Sequence, residues 1–216
     1  MKQEIEIIVP TKWSAVTLRQ YLRLKRDLEV YKDNDEAIIA ALFHHLCGMN
    51  AEYVNRLDIQ TYTNIQKDLT SFFNNTELPL QRIIKIGDVQ YGFEPNLSNM
   101  AYGAYVDLGR YETLQVDEKW AEVMSILYRP VTKKQKERYD IETYDGNIDE
   151  TKWLDVNMEV HWGALFFFVR LQMDLLKGIL KSLKEEELPA SMRSILARSG
   201  ELMQQSLSWP MANLKK

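Results

Sequence analysis

The chain has a single cysteine, Cys47, and only three histidines among its 216 residues. One cysteine cannot form an intramolecular disulfide, and no apolar leader precedes the first helix, so we expect a protein of a reducing compartment. The signatures GxGxxG, GxxxxGK[ST], HExxH, GxSxG and CxxC are also missing from the sequence. Their joint absence argues against the common dinucleotide, nucleotide-phosphate, zinc-protease, hydrolase and redox sites. We therefore expect no cofactor.

Positive charge is not in excess either. Lysine and arginine total 27 against 31 aspartates and glutamates, for a formal charge of −4. A chain without a basic field does not concentrate nucleic acid or anionic membranes around itself, so neither is expected as a partner. The most apolar stretch, GALFFFV at residues 163–169, is followed at once by Arg170. It is far shorter than the roughly 20 residues of a membrane-spanning helix.

What is present indicates a folded, largely helical protein. Hydrophobic residues make up 45% of the chain and charged residues 27%, which is typical of a globular domain with a real core. Apolar residues spaced by three and four predict helices after Thr17, from Asp33 to Gly48 and after Asp58. The same spacing predicts a helix from residue 117 to Pro130, a long apolar helix over residues 158–183, and a last helix beyond residue 188.

Two segments have the period of a strand. Residues 4–7 alternate glutamate and isoleucine before Pro10, which predicts a short edge strand. Residues 82–95 predict a hairpin that turns at Gly87 and Asp88. An isolated hairpin is marginal in water, so the N-terminal strand is expected to pair with it.

These elements predict a mainly α fold, a compact helical bundle with a small antiparallel β element made of the N-terminal strand and the central hairpin. Residues 1–131 form a helical region with this β element, residues 132–150 a polar charged excursion, and residues 151–216 a C-terminal helical hairpin packed on the rest. The pairing of the first strand with the central hairpin favours one interlocked domain.

Candidate sites for chemistry are few. His44 and Cys47 lie three residues apart on one helical face, beside His45, but two ligands do not make a metal site, and packing of these side chains is the commoner outcome. We expect no metal site and no catalytic residue. The stretch from Lys133 to Arg138 is basic, but acidic residues follow within a Debye length of about 10 Å, which favours a protein partner over nucleic acid.

A helix that is apolar on every side is usually core, yet it can also supply a surface for a partner protein. The candidate partner-binding residues are Trp162, Phe166, Phe167, Leu207 and Trp209.

Four segments together carry a family resemblance: RLDIQTYTNIQKDLTSFF, EVMSILYRPVTK, YDIETYDG and GALFFFVRLQMDLL. In this order they resemble the small assembly chaperones encoded beside the tape-measure gene of tailed bacteriophages, and proteins of gut-bacterial phages with an ILYRP box and a later FF helix. The resemblance spans residues 50–183. It implies a mostly α-helical, non-enzymatic assembly factor that holds the tape-measure protein soluble in the host cytoplasm while the tail is built.

Two alternatives stay open at this point. One is a structural component of the virion, such as a connector, ring or packaged protein, with phage tail or capsid proteins as partners and self-association into a homo-oligomer as a further option. The other is a small enzyme with a site around His44 and Cys47.

Overall fold

The computed structural model describes residues 7–74, 78–111, 115–136 and 138–182. Within these ranges the chain forms seven α-helices, four β-strands and three short 3-10 turns. The helices are α1 (Leu18–Val30), α2 (Asp35–Cys47), α3 (Ala51–Val54), α4 (Ile59–Phe73), α5 (Tyr102–Leu108), α6 (Trp120–Leu127) and α7 (Met158–Ser182). The strands are β1 (Ile83–Ile86), β2 (Val89–Phe93), β3 (Tyr128–Gln135) and β4 (Arg138–Ile141), and the turns are Trp13–Ala15, Leu97–Asn99 and Thr151–Asp155.

The helix starts of the first third follow from capping side chains. Thr17 and Gln20 form a capping box, in which the Gln20 N–H donates to the Thr17 hydroxyl and the Thr17 N–H to the Gln20 side chain. The Asp58 carboxylate accepts the N–H groups of the second and third residues of α4. Helix α2 is capped by Asn34, one residue later than the sequence pattern predicts, and ends at Gly48 as predicted.

The strands form one antiparallel sheet in the order β1-β2-β3-β4. The prediction of a mainly α bundle with only a small β element is therefore wrong: the fold is mixed, with a four-stranded sheet. The central hairpin and its turn at Gly87 and Asp88 are as predicted, but the third strand is β3 rather than an N-terminal strand. Residues 7–11 form no strand, and residues 1–6 lie outside the described part of the chain.

Strands β3 and β4 were not predicted from the sequence, because several of their residues have a low intrinsic preference for strands. Strand β3 reads YRPVTKKQ, and proline and lysine are depleted in strands. The Glu94 N–H donates to the Leu127 carbonyl at 2.8 Å, which fixes the alternation of hydrogen-bonded and non-bonded pairs between β2 and β3. Pro130, opposite Tyr91, falls at a non-bonded pair, so its missing N–H costs no hydrogen bond to β2. Tertiary pairing therefore decides the structure of the segment predicted as an excursion, although its lysines do lie at the surface, as expected.

One core joins the helices to the sheet. Four tryptophans, Trp13, Trp120, Trp153 and Trp162, are at most 1% exposed. Trp153 meets the rings of Tyr91 and Tyr128 at centroid distances of 5.7 and 5.4 Å, and Phe93 of β2 meets Phe167 of α7 at 5.4 Å. Such aromatic pairs add to the free energy of area burial. These contacts pack the sheet against the Thr151–Asp155 turn and against α7.

Helix α7 passes close to the segment before β1. A Cβ added at Gly163 would lie 2.5 Å from the Pro79 carbonyl oxygen, so only glycine permits this approach. The Arg170 side chain continues the contact, with its Nη2 donating to the Leu78 carbonyl at 3.3 Å. These contacts fix the chain that enters β1.

His161 is a fully buried histidine in this core. Its Nε2 lies 3.1 Å from the Trp153 carbonyl oxygen, which assigns the ring proton to that nitrogen, and its Nδ1 has no partner among the described residues. Burial lowers the pKa of His161 to about 4, against the opposing effect of the nearby backbone groups of Trp153 and Val156.

We expect this histidine to make the fold acid-sensitive. Between pH 6.5 and 4, His161 is protonated in the unfolded chain but stays neutral in the folded one. The free energy of unfolding therefore falls as the pH drops, by about 3 kcal/mol at pH 4. Urea denaturation from pH 7 to 4 measures this slope. His161→Gln should flatten it by that amount, whereas His44→Gln, at an exposed position, should not. An unchanged slope in His161→Gln would contradict the assignment.

Candidate functional site

Strand β1 is an edge of the sheet with backbone groups pointing outward. The Phe93 N–H donates to the Arg82 carbonyl, which fixes the alternation of paired and unpaired positions along the hairpin. Ile84 and Ile86 face β2 with their N–H and C=O groups, whereas those of Ile83 and Lys85 point away from it. Among the described residues, no hydrogen bond reaches these outward groups.

A groove of about 600 Å³ runs along this edge. Three segments line it: residues 14–17 before α1, the edge strand itself, and the turn that leads into α7. The two outer segments are joined by backbone bonds, from the Leu18 N–H to the Val156 carbonyl at 3.0 Å and from the Met158 N–H to the Val16 carbonyl at 2.7 Å. The wall opposite β1 is therefore built into the fold.

The lining of the groove is more polar than apolar, although apolar side chains lie at its base. Ile84 and Val160 are buried beneath it, and Ile86 is half-buried against the core. Ser14, Thr17, Gln81 and Asn157 supply neutral hydrogen-bonding side chains along the lining. A mainly polar lining with several apolar side chains suits a peptide backbone together with its side chains.

The charged side chains around the groove differ in how tightly neighbouring groups hold them. Asp155 is held by Arg19, whose Nε and Nη2 donate to its two oxygens at 2.9 and 3.1 Å, and these hydrogen bonds lower the pKa of the Asp155 carboxyl. Lys152 lies 3.4 Å from an Asp149 oxygen and 4.9 Å from the centre of the Tyr91 ring, so its position is set from two sides. Lys85 makes only a loose surface pair with Asp88 at 3.8 Å.

The opposite edge of the sheet differs from β1. Strands β1 and β4 each span four residues, but a register shift interrupts the pairing of β4 with β3 between Val131 and Lys133. Such a bulge is one of the devices that keep an edge from adding another strand. Strand β1 has three isoleucines and no bulge against β2.

The side chains of His44, His45 and Cys47, the candidate for chemistry that the sequence offered, are engaged with other groups. His45 Nε2 bonds Asp27 Oδ2 at 2.7 Å and His44 Nδ1 lies 3.3 Å from the Met49 carbonyl oxygen. Cys47 is half-buried against the core, and burial raises the pKa of its thiol to about 11, which disfavours a thiolate ligand or nucleophile. In the described part of the chain no three histidine, cysteine, aspartate or glutamate residues meet as a metal would require.

A second cavity, of about 490 Å³, adjoins this cluster between α1 and α2. Three alanines form its floor and polar side chains its rim: Asp27, Tyr31, Ala37, Ala40, Ala41, His44 and Asn50. Among the described residues that line this cavity there is no serine, threonine, cysteine or lysine, and His45, the partner of Asp27, is not part of the lining.

The residues predicted to bind a partner are placed in two groups. Trp162 and Phe166 are 0% and 4% exposed, and Phe167 is half-buried, so these three rings pack the core. Leu207 and Trp209 lie outside the described residues. The basic stretch predicted to face a partner lies on exposed positions of β3 and β4, where Lys133 is opposite Asp140.

The groove itself was not predicted from the sequence. Its signal was the hairpin at residues 82–95, which implies two edges, but which edge stays open depends on the pairing of β2 with β3. The lining residues come from three segments up to 146 positions apart in sequence, Ser14 and Val160 being the extremes. No local pattern announces such a juxtaposition.

Within the described ranges, no helix combines the length and the apolarity needed to cross a bilayer. No protein-family model, no curated protein and no solved structure matches the chain.

Proposed function

We propose that this chain is a non-enzymatic binding protein that takes up an extended segment of a partner protein along strand β1. The observation that carries this proposal is the edge strand whose outward N–H and C=O groups, at Ile83 and Lys85, face a groove of about 600 Å³. Strand addition to an exposed edge is a recurrent mode of peptide recognition, in which backbone bonds supply affinity and side-chain pockets supply specificity.

The partner we propose is a phage tail protein, with the tape-measure protein as the first to test. This choice rests on the sequence resemblance to tail assembly chaperones, and it would place the protein in the host cytoplasm during tail assembly. Holding a long partner soluble requires a site that pairs with extended segments, and hydrogen bonding to the backbone of the edge strand provides the affinity for them. A virion structural component is the alternative, distinguished by mass spectrometry of purified particles.

Replacing Lys85 by proline tests the strand-addition mode. Proline deletes the outward N–H of this position without removing a bond to β2, because position 85 is not hydrogen-bonded to that strand. We expect binding of a fluorescein-labelled peptide from the tape-measure protein to weaken about tenfold, the effect of one lost hydrogen bond. Fluorescence anisotropy measures the dissociation constant.

Lys85→Ala is the matched control, since it removes the same side chain and keeps the N–H. Its affinity should stay well above that of the proline variant. Equal affinities for the two variants, with circular dichroism showing both folded, would refute pairing at this edge.

A further inference from the structure

We infer that the segment taken up by the β1 groove is acidic, with carboxylate side chains alternating with apolar ones. This inference rests on the proposed function and adds the chemistry of the partner. The occupant is a segment of another protein, and it is selected by two lysines that lie on opposite faces of the same edge.

The first step concerns the faces of the strand. Side chains alternate along β1, so Lys85 projects from the face opposite to that of Ile84. Ile84 pairs with Tyr91 across the hairpin and shares its face. Because the Lys152 ammonium lies 4.9 Å from the Tyr91 ring, Lys152 is on the face opposite to Lys85. An added strand that alternates apolar and acidic residues therefore meets a lysine on whichever face its carboxylates project.

The second step concerns which charges are available. Of the described residues that line the groove, Asp155 alone carries a carboxylate, and both of its oxygens accept hydrogen bonds from Arg19. Lys152 is only 26% exposed and is oriented by Asp149 and Tyr91, so little further ordering is needed when it meets a carboxylate. Lys85 has one exposed partner at 3.8 Å, which a bound carboxylate can replace.

The third step concerns the apolar positions. Ile84, Ile86 and Val160 are apolar side chains of the lining, and small β-branched side chains of a bound segment pack well against them. Ile83 and Lys85 each offer one donor and one acceptor outward, so a strand of about five residues makes up to four backbone bonds there. The recognised pattern is thus short, extended, apolar on one face and acidic on the other.

Two labelled peptides, SVEVEVS and SVKVKVS, test this inference on the full chain by fluorescence anisotropy. We expect the acidic peptide to bind at least about tenfold more tightly at low salt. The net charge of −4 on the chain acts in the opposite direction, so such a preference must come from the groove. Lys85→Glu combined with Lys152→Glu should reverse the preference. Lys133→Glu combined with Lys134→Glu, the same change of charge on β3, should preserve it.

The outcomes separate the inference from the function on which it rests. Equal affinity for both peptides, or tighter binding of the basic one, overturns the acidic specificity while strand addition stands. Absence of binding by either peptide, together with no effect of Lys85→Pro on a tape-measure peptide, overturns the proposed function itself. A concentration-dependent dimer in light scattering that Lys85→Pro abolishes assigns the edge to a second copy and also overturns the inference.

Discussion

Replacing Arg129 by methionine is expected to lower the free energy of unfolding by about 3–5 kcal/mol, the effect of leaving one charge of a buried pair without its partner. Arg129 and Glu94 have side chains only 11% and 7% exposed, and their closest atoms, Nη2 and Oε2, are 2.5 Å apart. The guanidinium also donates to the carbonyls of Glu142 at 2.8 Å and Ile126 at 3.2 Å. Urea denaturation followed by far-ultraviolet circular dichroism gives the difference.

A double variant distinguishes lost charge pairing from lost packing. Arg129→Met combined with Glu94→Leu removes the orphaned carboxylate, and it should recover a substantial part of the stability that Arg129→Met loses. If the double variant is the less stable of the two, Glu94 stabilises the fold through contacts other than Arg129, such as the hydrogen bond that its Oε1 accepts from the Asn96 N–H at 3.2 Å.

Trp162→Ala is expected to have an effect of similar size, about 3–5 kcal/mol, for a different reason. The Trp162 ring is fully buried and meets the rings of Trp13, Tyr21 and Phe166 at centroid distances of 5.7, 5.3 and 5.7 Å. Its truncation opens a cavity between α1, α7 and the turn before α1. Chemical denaturation monitored by circular dichroism measures the loss.

The same variant tests the prediction that Trp162 binds a partner. A core role predicts lower stability with unchanged peptide affinity in the folded protein. Tyr102→Ala is the control for an aromatic side chain at the surface, since Tyr102 is 81% exposed, and should change stability by less than about 0.5 kcal/mol. If the Trp162→Ala protein is stable but binds the peptide more weakly, Trp162 contributes to partner binding rather than to the core.

The parts of the fold that could be predicted from the sequence are those governed by neighbouring residues. Thr17 and Asp58 cap helices because their side chains reach amides two or three positions away. The turn at Gly87 and Asp88 could be predicted because its first residue needs a positive φ, which glycine adopts readily; the φ of Gly87 is 58°. Periodicity likewise located α7.

The parts that could not be predicted depend on residues distant in sequence. Pro130 and the lysines after it look like a loop until β2 and β4 are placed on either side of them. Glu94 and Arg129, 35 positions apart, look like surface charges until the sheet brings them together in the interior. The open edge of β1 follows from these same pairings, so the candidate site was beyond the reach of local patterns.

The junction between α6 and β3 has no connecting residue, since the helix ends at Leu127 and the strand begins at Tyr128. The sequence pattern alone favours a helix that continues to Pro130. The Glu94 N–H donates to the Leu127 carbonyl, and the Glu94 carboxylate accepts a hydrogen bond from the Arg129 guanidinium. These contacts with the end of β2 favour the extended conformation of Tyr128 and Arg129. The boundary between α6 and β3 is therefore set partly by contacts with a strand that is distant in sequence, and loss of those contacts is expected to shift it.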